Sequence, residues 1–199
     1  PLCARQRVAQ DICLLHGHLG VAHIKGHVGE FLLQEGRALV VHTVVRKCAT
    51  SHSDVSVPNL LLAREINVKA LEKDTVFVTL DGVERKLNGK EAMVCNSKEA
   101  MCMGGIYGGL DSGVNETTTD VLIESAYFDP VVIRKAAKYH TLKTDASFRY
   151  ERGADPNITL YALKRAALLI KEVAGGKICS EIVDVYPEKR EEKLGGVYI

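Results

Sequence analysis

The sequence predicts an α+β fold: a mixed, largely antiparallel sheet, or a closed barrel, with flanking helices. Three observations carry this expectation. Short apolar segments recur at close spacing between Arg64 and Tyr107, as they do in compact sheets and small barrels. Two Asp-Pro pairs, Asp129-Pro130 and Asp155-Pro156, each open a run with helical character. After the second run Gly175-Gly176 intervenes, and a final apolar stretch from Ile178 to Val185 returns to strand character.

Residues 1–63 form an N-terminal segment of different texture. They hold six of the seven histidines, and their only aromatic residue is Phe31. The run Ala38 to Val45 contains four valines and is the best strand candidate there, because β-branched side chains suit a pleated, half-buried surface. Gly29 to Arg37 is compatible with a short helix. A second region, 64–187, reads as one domain. In it Glu65 to Ala70 alternates apolar and polar residues. Thr75 to Leu80 and Val83 to Leu87 flank Asp81-Gly82, a pair that supplies the positive φ angles of a tight two-residue hairpin turn. Ala92 to Cys95 and Met101 to Tyr107 are further short strands, and Val121 to Phe128 is a longer one. Asp129 and Asp155 are placed to cap helices with proline in the first turn. The second helix uses Leu160, Leu163, Ala167 and Ile170 as its apolar positions. Residues 188–199 are a charged linker or tail.

Composition excludes some classes. With 46% apolar and 26% charged residues in 199, the chain is an ordinary globular sequence able to bury a core. A net charge of +1 announces no strongly basic protein, although a local patch is invisible to a sum. No basic stripe with aromatic interleaving stands out. No apolar run approaches the roughly 18 residues that span a bilayer, and the first residues lack the apolar core of a signal peptide. The six cysteines, Cys3, Cys13, Cys48, Cys95, Cys102 and Cys179, form no CxxC pair or tight framework, which fits reduced thiols and a cytoplasmic location.

Candidate chemistry concentrates between Met101 and Gly153. A glycine-dense turn, Gly104 to Gly109, allows close backbone approach to a ligand, but it lacks both the lysine ending of a phosphate loop and the dinucleotide-binding spacing. Glu124 shares a strand face with Leu122, Ala126 and Phe128, so a carboxylate points at the core and needs a partner for its charge. That partner is either a structural one, Arg149 or Arg152, or a ligand. Thr144 to Gly153 reads as a loop of small hydroxyl and charged residues. His16, His18, His23 and His27 match no standard zinc spacing, and no metal site is assigned. No Ser-His-Asp grouping can be built, so no residue is assigned as a nucleophile. His140, at a helix C-terminus, suits the helix dipole. Phe148-Arg149-Tyr150-Glu151 is similar to a short signature of class II aminoacyl-tRNA synthetase cores. No glycine-rich arginine motif follows it, so ATP binding is not expected of this segment.

The segments FVTLDGVERKLNGKEAMVC, MGGIYGGLDSGVNETT and DVLIESAYFDPVVIRKAAKYHTLKTDASFRYERGADP resemble the central editing domain in the β subunit of bacterial phenylalanyl-tRNA synthetase, over roughly Arg64 to Pro187. The resemblance implies an α+β editing domain that hydrolyses tRNA(Phe) mischarged with tyrosine. In that family Glu124 falls on the acid that recognises the tyrosine phenol. Gly105 and Gly108 fall on glycines lining the pocket, and Thr144 and Ala146 on positions shaping the aminoacyl ester end. Hydrolysis is expected from a positioned water, with no protein nucleophile. The editing domain needs no cofactor; ATP and Mg belong to the whole synthetase. The implied partners are the mischarged tRNA and the synthetase α subunit, with no membrane. Residues 1–63 depart from the family, since neither its Pro-x-His-Ala-Phe-Asp segment nor its Val-Asp-x-Thr-Asn-Tyr motif is present. The alternative is therefore a non-catalytic amino-acid-binding or structural module of the same fold.

Overall fold

The computed structural model describes residues 66–96, 99–113 and 120–186, together with the backbone of two strands nearer the N-terminus. In chain order the strands are β1 (Ala9–His16), β2 (Val44–Lys47), β3 (Asn67–Lys69), β4 (Val76–Val78), β5 (Glu84–Lys86), β6 (Met93–Cys95), β7 (Ala100–Met103), β8 (Tyr107–Gly108), β9 (Asp120–Tyr127), β10 (Lys177–Ile178) and β11 (Val183–Val185). The helices are α1 (Pro130–Tyr139), α2 (Asp145–Tyr150) and α3 (Thr159–Ala174). The α+β class expected from the sequence is borne out. A closed barrel is not: among the described residues the strands form three open sheets of five, four and two strands.

β9 organises the molecule. It lies inside the five-stranded sheet, ordered β10-β1-β9-β2 with β11 also on β1. Its neighbours run antiparallel on both sides, so that Glu124 stands opposite Ile12 of β1 and Val44 of β2. Both flanking strands thus come from residues 1–63. The expected strand Ala38 to Val45 overlaps β2 at its last two residues; its remainder, the short helix at 29–37 and the tail at 188–199 lie outside the described residues. The closing strand is split into β10 and β11, both paired to β1.

Because successive side chains of a strand alternate faces, β9 serves two cores. Val121 and Ile123 meet Leu163, Ala166, Ala167, Ile170 and Ala174 of α3. Each large aliphatic side chain buried there stabilises the fold by about 2 kcal/mol. Ser125, on this face, donates from Oγ to the Thr159 carbonyl at 2.8 Å and fixes the start of α3. Leu160 was expected in the apolar stripe of α3 but is exposed; the buried stripe runs through Ala162, Leu163, Ala166, Ala167 and Ile170. The opposite face sends Ala126, and Phe128 just beyond the strand, into the second core with Phe77, Leu87, Met93, Met103, Ile106, Ile133 and Tyr150.

The helix signals act locally. Asp129 accepts from the Val131 and Val132 N–H groups and caps α1 behind Pro130. Asp155 caps as well, but it opens a single 3-10 turn, Pro156–Ile158, before α3 proper. α3 stops at Gly175, whose φ of 79° is a conformation that glycine takes at little cost. The β4–β5 hairpin forms around Asp81-Gly82 in a different turn from the one expected. Gly82 N–H donates to the Thr79 carbonyl at 2.8 Å, and positive φ occurs at Gly82 and not at Asp81. The loop is therefore three residues closed by a glycine in the left-handed region, the common alternative to a two-residue turn. Among the described residues no helix is long and apolar enough to cross a membrane.

Candidate functional site

The glycine turn joins β7 to β8. Ile106 N–H donates to the Met103 carbonyl at 3.0 Å, and Gly105, third in that turn, has φ 69°. A Cβ at Gly105 would stand 2.8 Å from Ile133 Cδ1 and 2.9 Å from Phe128 Cδ2. Glycine is thus required twice, for the backbone angle and for the close approach of α1 and the end of β9. Gly104 makes a similar approach to the Phe128 ring and donates to the Ala92 carbonyl at 2.7 Å. Gly108 lies at the other end of the turn, against Leu80 of the β4–β5 loop.

α2 meets this turn through its cap. The segment Thr144 to Gly153, expected to be a loop, contains the six-residue helix α2. Thr144 Oγ1 accepts from the Ser147 N–H at 3.0 Å, and Ser147 Oγ accepts from the Thr144 N–H at 3.0 Å. This reciprocal pair is a capping box with serine in the third position, where glutamate is commoner, which is why it reads as a loop. Thr144 Oγ1 also donates to the Ile106 carbonyl at 2.7 Å, tying the helix start to the glycine turn. Ala146 is buried beside Ile106, Phe128 and Tyr150. Tyr150, fully buried, donates its hydroxyl to the Ala126 carbonyl at 3.0 Å and meets Phe128 edge-on at 5.2 Å between centroids.

Glu124 is 3% exposed and shares its β9 face with Ala126. Among the described residues no ion pair joins it to Arg149 or Arg152; Arg152 pairs instead with Glu151 at 2.9 Å. The structure therefore brings Gly105, Thr144 and Ala146 together around Ile106. Glu124 enters from the strand whose next inward residue is tied to Tyr150, and Gly108 stands apart on Leu80.

One buried polar pair escaped the sequence reading. His140 caps the C-terminus of α1, but its ring turns inward, with Nε2 2.8 Å from Glu91 Oε1. Their side chains are 3% and 1% exposed. Burial pushes the Glu91 carboxyl up. The N–H groups of Asn88, Glu91 itself and Lys90, with the His140 ring, outweigh it and hold the carboxyl below its ordinary value. Against an ionised, acceptor-only carboxylate, Nε2 is the donor. Arg85 Nη1 donates to the His140 carbonyl at 3.2 Å and links the β4–β5 hairpin to the same point. The pair is 49 residues apart in sequence. Its one local signal is the Asn88-Gly89 turn, with Gly89 at φ 83° and Asn88 Oδ1 accepting from the Lys90 N–H, which aims the Asn88 and Lys90 N–H groups at Glu91.

Among the described residues no three metal-ligating side chains are grouped; His18, His23 and His27 lie outside them. Known proteins resemble about three-fifths of this chain. The phenylalanine–tRNA ligase β subunit of Bacteroides fragilis is 60% identical over 127 residues, covering 64% of this chain and 16% of that protein. The β subunit of Bacteroides thetaiotaomicron is 62% identical over 121 residues, 61% of this chain and 15% of its own. That of Porphyromonas gingivalis is 51% identical over 122 residues, with the same coverage. These similarities bear out the resemblance to the synthetase β subunit read from the sequence, and the chain spans about 16% of the length of such relatives. The B3/4 domain family matches residues 59–175, more than half of the chain, and the protein belongs to that family.

Proposed function

We propose that this chain is the B3/4 segment of a phenylalanine–tRNA ligase β subunit and that it hydrolyses tyrosine from mischarged tRNA(Phe). The observation that carries the reading is Glu124: a carboxylate 3% exposed on a β9 face that otherwise feeds an apolar core. Such a group suits a substrate hydroxyl. Tyrosine offers its phenol as a further donor and phenylalanine offers none, which is how polar sites reject an analogue lacking the group they bind. In this reading Gly105, which packs on Ile133 and Phe128, and Gly108, which packs on Leu80, would line the pocket beside the ring, and Thr144 and Ala146 would shape the ester end, where the Thr144 hydroxyl is directed to the Ile106 carbonyl. No side-chain nucleophile is invoked. A water held near the ester would attack, and orientation and backbone dipoles would supply the rate.

The domain works without a cofactor; ATP and Mg serve the complete ligase, whose α subunit and tRNA are its partners in the cytoplasm. The missing family motifs in residues 1–63 favour a second reading, a non-catalytic amino-acid-binding module. NMR titration of free tyrosine and phenylalanine against the chain and against Glu124→Ala tests recognition, and deacylation of tyrosyl-tRNA(Phe) tests chemistry. Tyrosine-selective shifts lost in the variant, with deacylation, support the editor. Selective shifts without deacylation support the amino-acid-binding module, and no selectivity between the two amino acids defeats the editor and supports a structural module of the same fold.

A further inference from the structure

The solvent side of α1 is cationic from Arg134 to Lys138. Val131, Arg134, Lys135, Lys138 and Tyr139 are exposed, a spacing that places all five on one helical stripe. Ile133, Ala136 and Ala137 are buried on the opposite side, so the stripe has no freedom to turn inward. Within α1 there is no acid to balance the three cations; Asp129, before it, is engaged as the N-cap. The stripe reaches α2 at Arg134, whose Nη2 donates to the Glu151 carbonyl at 2.8 Å. There the Arg152 guanidinium lies 3.4 Å over the exposed Phe148 ring. Two acids sit on α2 or at its end: Asp145 in the first turn, and Glu151, which is paired with Arg152. Tyr139 and Phe148 are 52% and 57% exposed. The sequence showed no basic stripe with aromatic interleaving; the fold assembles one from two helices.

From this geometry we propose that the α1 stripe and the Phe148–Arg152 stack form a track for a single-stranded RNA. Phosphates lie along Arg134, Lys135 and Lys138, and bases stack on Tyr139 and on the Phe148–Arg152 pair. Single-strand binding combines these two elements, a cationic path and aromatic or guanidinium planes. An acidic protein would satisfy the lysines but has no use for exposed stacking planes beside them. The track meets α2 at its C-terminal end, at Glu151 and Arg152, and the same short helix is capped at its other end by Thr144 at the glycine turn. Identifying that strand as the aminoacylated end of a tRNA rests on the proposed function; the track itself does not.

The test is fluorescence anisotropy of a labelled single-stranded RNA of about 10 nucleotides, titrated with the full 199-residue chain at several salt concentrations. Three phosphate contacts give log affinity against log salt a slope of about −2, and Lys135→Gln with Lys138→Gln should reduce its magnitude by about 1.4. Tyr139→Ala should weaken binding about tenfold with the slope unchanged. Thermal melts monitored by circular dichroism establish that each variant is folded. No binding, binding and slope unaltered by the lysine changes, or affinity indifferent to Tyr139 would each overturn the proposal. Free-tyrosine selectivity through Glu124 is read in a separate titration without RNA, so either idea can fail while the other stands.

Discussion

The two faces of β9 support cores of opposite character. Toward α3 the contacts are aliphatic, Val121 and Ile123 against leucine, isoleucine and alanines, with one hydroxyl bond from Ser125 at the edge. Toward the glycine turn the same strand meets a core whose members are held by directed contacts: the Tyr150 hydroxyl on the Ala126 carbonyl, Thr144 on Ile106, and Phe128 against backbone that has no Cβ. A core of the first kind absorbs changes by repacking. A core of the second kind absorbs almost none, because each contact depends on one atom being in one place. Candidate site residues Gly105, Thr144 and Ala146 all belong to the second, and Glu124 points to the same side. That is the side on which a ligand-sized geometry can be kept fixed.

Substitutions can break this contrast. Gly105→Val should be the most damaging, at about 4 kcal/mol, because the strain of a left-handed β-branched residue adds to overpacking against Ile133 and Phe128. Urea denaturation measures it, and a loss under about 1 kcal/mol would show that the turn can relax. On the other face Leu163→Ala should cost about 3 kcal/mol through the cavity it leaves, with tyrosine-induced NMR shifts preserved because the glycine-side core is untouched. Loss of those shifts would mean that the two cores are coupled.

Glu91→Gln should cost about 2 kcal/mol by weakening a buried, charge-assisted hydrogen bond. It should also change the pH profile. The Glu91 carboxyl is held below its ordinary value in the folded protein, so its contribution is fully present above the unfolded value and is lost as pH falls through the folded one. Denaturation midpoints of the native chain should fall with pH below about 4.5, and those of the variant should fall less steeply. Parallel profiles would remove Glu91 from the account. Smallest is Thr144→Ala, at about 1 kcal/mol for a lost cap. Thr144→Ser should restore most of it, because serine keeps the oxygen bonded to Ser147 and Ile106.

The sequence alone determined whatever rests on contacts between near neighbours. Asp129 and Asp155 cap the helical turns just after them, Gly82 closes its hairpin, and alternation along 121–128 assigns Glu124 to the face of Ala126 and Phe128. A hydrogen bond across two or three residues, or a period of two, is written in the chain before it folds. Where local chemistry was unfamiliar, as in the threonine–serine box of α2, even a near-neighbour feature passed for a loop. Only the tertiary structure set β9 between strands from residues 1–63, turned the His140 ring onto Glu91, and stacked Gly105 beneath Phe128 and Ile133. It also decided that the basic side of α1 faces solvent next to Phe148 and Arg152. Most of these partners are tens of residues apart. What pairs them is the burial of apolar faces that forces distant segments together, and no spacing within the chain records which segments those will be.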